Sequence, residues 1–328
     1  MTWNQPLRFV PIYQTRVWGG RNLESKFGRK LPDPALPYGE SWEICDRPEA
    51  VSQVCEGEAA GLTLHDLWQK HRRAVFGEAL ADHSSERYPL LMKILDACED
   101  LSIQVHPPAE VAQVLNGEAK TEMWFITHAA PGARLYAGLR AGATRVLFEK
   151  ALEDGSVAEM LHHIQPQPGD SLHLPSGRVH AIGAGLVLFE IQQNSDTTYR
   201  VFDWNRKGLD GLPRTLHVEA SLQSLNFQDF EPQIQPAAQV GVLVNCPFFE
   251  VKKVAYPCTS TVGQAGEHLT VVIIRGILTV QNCILRAGDF ALIPACMKEK
   301  DRQIVAAEPQ TEWLEVRIPR GSPDAASF

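Results

Sequence analysis

Apolar and polar residues alternate with period two over short stretches of this chain, and Gly, Pro, Asn and Asp interrupt the alternation at close intervals. That pattern predicts short half-buried strands joined by turns, as in an all-β barrel or sandwich. In LSIQVHPP, Leu101, Ile103 and Val105 fall on one face and Ser102, Gln104 and His106 on the other. KTEMWFIT puts Glu122, Trp124 and Ile126 on a common face. The segment GLVLFEIQQNSDTTYRVFDWNR carries Glu190, Gln192, Asn194, Asp196, Thr198 and Arg200 at even positions, against Phe189, Ile191, Tyr199 and Val201 at odd ones. Extended, it presents one polar row, either solvated or lining a barrel interior built for a polar ligand. Helices are the minority. One is expected from Thr63, where Thr63 and Asp66 supply a cap and a first-turn acid ahead of LWQKHRRAVFGEAL, and others over 143–151, 156–163 and 216–225.

Residues 226–239, with two prolines, four glutamines and no sustained period, read as a linker. Across it the chain repeats itself: GDSLHLP at 169–175 returns as GDFALIP at 288–294. Two related β-barrels are therefore expected, one over 1–230 and one over 231–328. The length of 328 residues accommodates about two domains at roughly 150 residues each.

Composition narrows the function. A net charge of −8 argues against a reader of nucleic-acid backbones or of anionic membranes. No apolar run reaches the roughly 18 residues of a membrane helix, and the start MTWNQPLRFV lacks signal-peptide regions, so a cytoplasmic protein is expected. Seven scattered cysteines without a C-x-x-C pair suggest neither a disulfide framework nor a cysteine zinc site. There is no P-loop, no complete dinucleotide fingerprint and no G-x-S-x-G elbow, hence no expected nucleotide cofactor or serine nucleophile.

Gly169 to His180 reads G-x5-P-x-G-x2-H, which resembles the second signature motif of the cupin barrels, where a Pro-x-Gly turn swings a histidine onto a metal. In the second copy Cys296 replaces the glycine and Glu299 the histidine, so only the first barrel is expected to hold a metal. Gln104, His106, Glu122 and His180 make a coherent donor set of two imidazoles, one carboxylate and one amide oxygen. Such a set suits Zn²⁺, with Mn²⁺, Co²⁺ or Fe²⁺ as alternatives.

QVHP with KTEMW, PSGRVHAIG, FEIQQNSDTTYR and, near the start, VWGG and YGESWEI together resemble the mannose-6-phosphate isomerases (phosphomannose isomerases), in their short bacterial form. The resemblance is looser in the C-terminal barrel. It implies two jelly-roll barrels of the cupin superfamily with a few short helices, mainly β. It further implies Gln104, His106, Glu122 and His180 as zinc ligands, Arg200 as the principal active-site residue and Lys120 as a second catalytic candidate. Ser102, Lys93, Glu190 and Asp196 match positions lining the family's pocket. The stretch between Glu122 and His180 is too short for the large helical insertion of long family members.

The expected reaction interconverts mannose 6-phosphate and fructose 6-phosphate by moving a proton between C2 and C1 through an enediol. Arg200 then stabilises charge or positions the sugar, Lys120 or Glu190 carries the proton, and Lys93, Arg200 and Ser102 are candidates for the phosphate. Two alternatives are a cupin oxygenase with redox-active iron and a non-catalytic sugar-binding or regulatory cupin. Against the first, Gln104 stands where such sites usually place a histidine. Against the second, pure binding needs neither a metal nor a base.

Overall fold

The computed structural model describes residues 3–256 and 261–323, in which strand exceeds helix by more than two to one. They group into two compact units that are not contiguous in sequence. One draws on 13–41 and 93–238, the other on 3–12, 42–92, 239–256 and 261–323. This division differs from a single cut at 230. The N-terminal strand Leu7–Arg8 pairs antiparallel with Phe290–Ile293, Leu7 opposite Leu292, which recruits the start of the chain to the C-terminal sheet. The 226–239 segment is also less free than a linker. Phe230 bridges to Leu139 and Gln235 to Ser171, so it lies along the first barrel almost to its end.

The unit holding 93–238 has a five-stranded sheet ordered Leu161–Ile164, Leu135–Leu139, His180–Ile182, Ile103–Val105, Tyr199–Phe202. A six-stranded sheet is ordered Ser171–Leu174, Glu122–Ala129, Leu186–Gln193, Leu90–Ala97, Tyr38–Ile44, Ile12–Gly20. Leu135, Ala137 and Ile182 from the first sheet pack with Trp124, Ile126, Leu172 and Leu188 from the second, so the core lies between them. The outer face of the five-stranded sheet buries Ile103, Val105 and Val201 against Phe148 and Ala151 of helix Arg145–Asp154 and Leu222 of helix Val218–Ser224. Leu101 joins the inner cluster instead of this outer one, because the regular strand starts only at Ile103 and the alternation does not extend back to 101.

The other unit carries a six-stranded sheet ordered Leu7–Arg8, Phe290–Ile293, Leu269–Arg275, Glu312–Arg317, Glu250–Ala255, Gly241–Asn245. A three-stranded sheet, Cys283–Arg286, Ile277–Val280, Ile304–Ala306, completes it, with Val271, Ile273, Leu278, Leu285, Ile293 and Trp313 in the core. Both repeats form a Gly-Asp turn followed by a strand, and Gly169 and Gly288 both adopt positive φ (+96° and +84°), the region that favours glycine.

The helix expected at Thr63 is present as Leu64–Lys70. Asp66 N–H donates to Thr63 Oγ1 at 3.0 Å and Thr63 N–H to the Asp66 carboxylate at 3.3 Å, a reciprocal cap. It breaks at His71 before a second helix, Arg72–Phe76, which stops at Gly77 (φ +88°). The segment 156–163 is not a helix. Val157–Met160 forms a single 3-10 turn, and Leu161–Ile164 is a strand that pairs Leu161 with Leu139 and His163 with Tyr136. A sheet edge over 20 residues away outweighs local helical preference there. Among the described residues no helix is long and apolar enough to cross a membrane.

Candidate active site

Strand Ile103–Val105 lies between two partners, His180 and Arg200, both opposite Gln104. On the other sheet Gln192 is opposite Glu122 and Glu190 opposite Trp124. The polar row from 190 to 200 is therefore not one strand. It leaves the six-stranded sheet at Gln193 and enters the five-stranded sheet at Tyr199, bringing Glu190 and Arg200 to one cavity from two directions. Between His173 and His180 the Pro-Ser-Gly turn requires Gly177 at φ +87°, and its N–H donates to the His106 carbonyl at 2.8 Å. The turn that leads to His180 is thereby tied to the backbone of His106.

The metal-competent centre is buried. The side-chain donor atoms of His106, Glu122 and His180 lie within 4.8 Å of one another. His106 Nε2 stands 3.4 Å from Glu122 Oε2, and His180 Nε2 stands 3.5 Å from Glu122 Oε1. Both Nδ1 atoms are engaged, at 2.9 Å from the carbonyls of Thr197 and Arg178. A carbonyl only accepts, so each Nδ1 carries the proton and each Nε2 turns a lone pair inward. His106 Nε2 and Glu122 Oε1 are buried without a hydrogen-bond partner. Unpaired acceptors gathered this deep fit a bound cation, which gives them a partner they otherwise lack. The Gln104 amide nitrogen lies 3.3 Å from His180 Nε2, and its oxygen accepts from Ser102 Oγ at 3.4 Å. Burial drives the His106 pKa down to about 3 and lowers that of His180. Burial alone raises a carboxyl, yet Lys120 and the two imidazoles hold Glu122 well below its ordinary value. Lys120 Nζ reaches Glu122 Oε2 at 2.7 Å.

Above this centre opens a polar cavity of about 280 Å³. Ser102, Gln104, Lys120, Lys93, Glu190, Asp196 and Arg200 all line it, so every expected pocket residue is brought together here. Lys93 is buried between Glu190 at 3.4 Å and Glu40 at 3.6 Å. Burial lowers an ammonium, but these two carboxylates raise it overall. Trp124 Nε1–H donates to Glu190 at 3.1 Å, and burial followed by the nearby Glu122 raises the Glu190 carboxyl. Arg200 Nη1 donates to the Thr215 carbonyl at 2.7 Å, while its Nε is buried without a partner. Burial, then the adjacent Arg214, lowers the pKa of this guanidinium.

Arg16, Trp18, Glu40 and Arg214 line the same cavity without having been expected there. Arg16 donates to Glu40 at 2.8 Å, and Arg214 is held by Asp203 at 2.7 Å. Trp18 and Glu40 sit inside VWGG and YGESWEI, segments whose glycines are readable as a close approach. A Cβ on Gly39 would fall 2.5 Å from the Trp18 ring, and one on Gly19 2.3 Å from the Gly39 nitrogen. In the second barrel Glu299 lies exposed on a 3-10 turn. Three residues on, Arg302 is fully buried and bonded to backbone carbonyls.

Two imidazoles and a carboxylate are buried next to Gln104 and Lys120 of a pocket whose five cationic side chains outnumber three lining carboxylates, an arrangement of the cupin-type barrels. Residues 7–122 match the phosphomannose isomerase type I catalytic domain. The chain is 37% identical to mannose-6-phosphate isomerase ManA of Bacillus subtilis over 83% of its own length and 86% of the relative's. It is 35% identical to the mannose-6-phosphate isomerase of Streptococcus mutans, over 92% and 98%. The solved structure of the Bacillus subtilis mannose 6-phosphate isomerase superposes with a TM-score of 0.79 at 29% identity, covering 95% of this chain and 99% of that one. The chain belongs to the mannose-6-phosphate isomerase family, and neither the oxygenase nor the binding-module alternative is favoured.

Proposed function

We propose that this chain interconverts mannose 6-phosphate and fructose 6-phosphate in the cavity above His106, Glu122 and His180, as a cytoplasmic enzyme of carbohydrate metabolism. The convergence of unpaired donor atoms below a cation-rich cavity carries this reading. His106, Glu122, His180 and, with its amide turned to bring the oxygen toward His180, Gln104 would hold one divalent ion, Zn²⁺ by the donor chemistry. When bound, such an ion polarises the sugar oxygens as a Lewis acid.

The remaining chemistry falls to side chains. Glu190 is the group that moves the proton between C2 and C1: it lines the cavity, and burial followed by the nearby Glu122 raises its carboxyl and so its basicity. Trp124 and Lys93 fix its orientation. Lys120 faces the reacting oxygens beside Glu122 and stabilises negative charge there. Arg200, anchored through Thr215, positions the sugar, and with Arg214 and Lys93 it supplies positive charge for the phosphate. Ser102 and Asp196 take sugar hydroxyls at the wall.

Anaerobic incubation of metal-replete protein with mannose 6-phosphate in D₂O tests this. Fructose 6-phosphate carrying deuterium at C1 is expected. Conversion with no deuterium overturns the proton-transfer route, a strict need for O₂ overturns isomerisation, and no conversion by folded protein overturns the activity itself.

A further inference from the structure

The unit that holds the C-terminal strands contains its own cavity, of about 210 Å³, lined by apolar Phe76, Leu80 and Ile318 and by the charged Arg317 and Arg320. The imidazole of His268 lines it and is only 5% exposed. Its Nδ1 lies 3.1 Å from the Phe76 carbonyl and so carries the proton. Its Nε2 is buried with no hydrogen-bond partner. The ring is fixed edge-on to Phe76 at 5.3 Å and to Tyr88 at 6.3 Å, so it cannot turn freely to find one. Burial, with Arg302 and Arg317 nearby, lowers the imidazole to a pKa of about 4, leaving a neutral acceptor at pH 7.

A buried acceptor without a donor is costly and calls for a hydroxyl or N–H from something that enters the cavity. Arg317, which also donates to Glu315 at 3.0 Å, and Arg320 on the same cavity favour an oxyanion that can take several N–H groups, as a phosphate does. Glu250 and Glu267, also on the wall, accept from further hydroxyls. We propose that this cavity is a second small-molecule site, for a hydroxylated organic phosphate of the polyol or sugar phosphate class, with a hydroxyl donating to His268 Nε2 and the phosphate on Arg317 and Arg320. The site does not depend on the isomerase reading, since none of its residues belongs to that pocket.

Calorimetric titration of the full chain with glycerol 3-phosphate, glycerate and glycerol tests it. Glycerol 3-phosphate is expected to saturate a site whose affinity falls about tenfold or more in His268→Phe and in Arg317→Ala/Arg320→Ala, and persists in Arg200→Ala. Should His268→Phe not fold, judged by near-UV circular dichroism, the arginine variant carries the measurement. Affinity lost in Arg200→Ala but kept in the arginine variant places the ligand in the isomerase pocket and overturns the proposal. Equal affinity for glycerate overturns the phosphate assignment, and absence of saturable binding overturns the site.

Discussion

His106 Nδ1 meets the carbonyl of Thr197 at 2.9 Å, and this one contact decides what the opposite nitrogen can do. With the proton fixed on Nδ1, Nε2 is an inward lone pair facing Glu122, and the Arg178 carbonyl does the same for His180. Ligand orientation is thus built into the backbone before any ion arrives.

Metal removal is the first check. Elemental analysis before and after chelation should show about one divalent ion per chain lost together with activity. His180→Ala should lose the ion, whereas Glu299→Ala, altering an exposed side chain, should keep it. Full turnover by ion-free protein would sink the assignment.

Arg200→Ala should leave the fold and ion content intact and lower kcat/KM by about 2 to 4 kcal/mol, the range for a preorganised electrostatic partner. Steady-state kinetics alongside ion analysis checks it. A rate near that of the unaltered protein would return Arg200 to a structural role.

In the C-terminal barrel, Arg302 donates to the carbonyls of Met297 at 3.0 Å and of Glu267 and Pro294 at 2.8 Å. Arg302→Met removes those donors and leaves carbonyls buried and unpaired. Stability of that unit should fall by about 3 kcal/mol, read from urea unfolding. A change under about 0.5 kcal/mol would show that water replaces the guanidinium.

His268 should make stability depend on pH in one direction. Its folded pKa of about 4 lies below the ordinary histidine value of about 6.5, so between those limits the unfolded chain takes up a proton that the folded chain refuses. Its contribution to stability is complete above about pH 6.5 and declines as pH falls toward 4, by up to about 3 kcal/mol over that window. Unfolding free energies at several pH values should show the slope, and His268→Phe should flatten it. An unchanged slope in the variant would assign it to other groups.

Much of the site was legible because its spacing is local. Gln104 and His106 are two apart on one strand, and the turn leading to His180 is marked by Gly177, whose positive φ few other residues tolerate. Arg214 carried no such signal, since it lies in an irregular loop and reaches the cavity through an ion pair with Asp203. The strand at 161–164 was hidden for the opposite reason. Its residues favour a helix locally, and only the distant partners Leu139 and Tyr136 decide otherwise. Residues 3–12 and 42–92 gave no hint that they group with the C-terminal strands, because strand pairing across nearly 300 positions leaves no periodic trace.

That long-range pairing has a consequence for synthesis. Leu7 leaves the ribosome early, yet its partner Leu292 follows 285 residues later. The unit built on 13–41 and 93–238 has all its strands available well before then. During translation it can therefore close first, while the N-terminal strand waits unpaired for the far end of the chain, a closure of high contact order and so a slow one. A transcript truncated after the first barrel leaves that strand permanently without its mate, an exposed edge open to pairing with other chains.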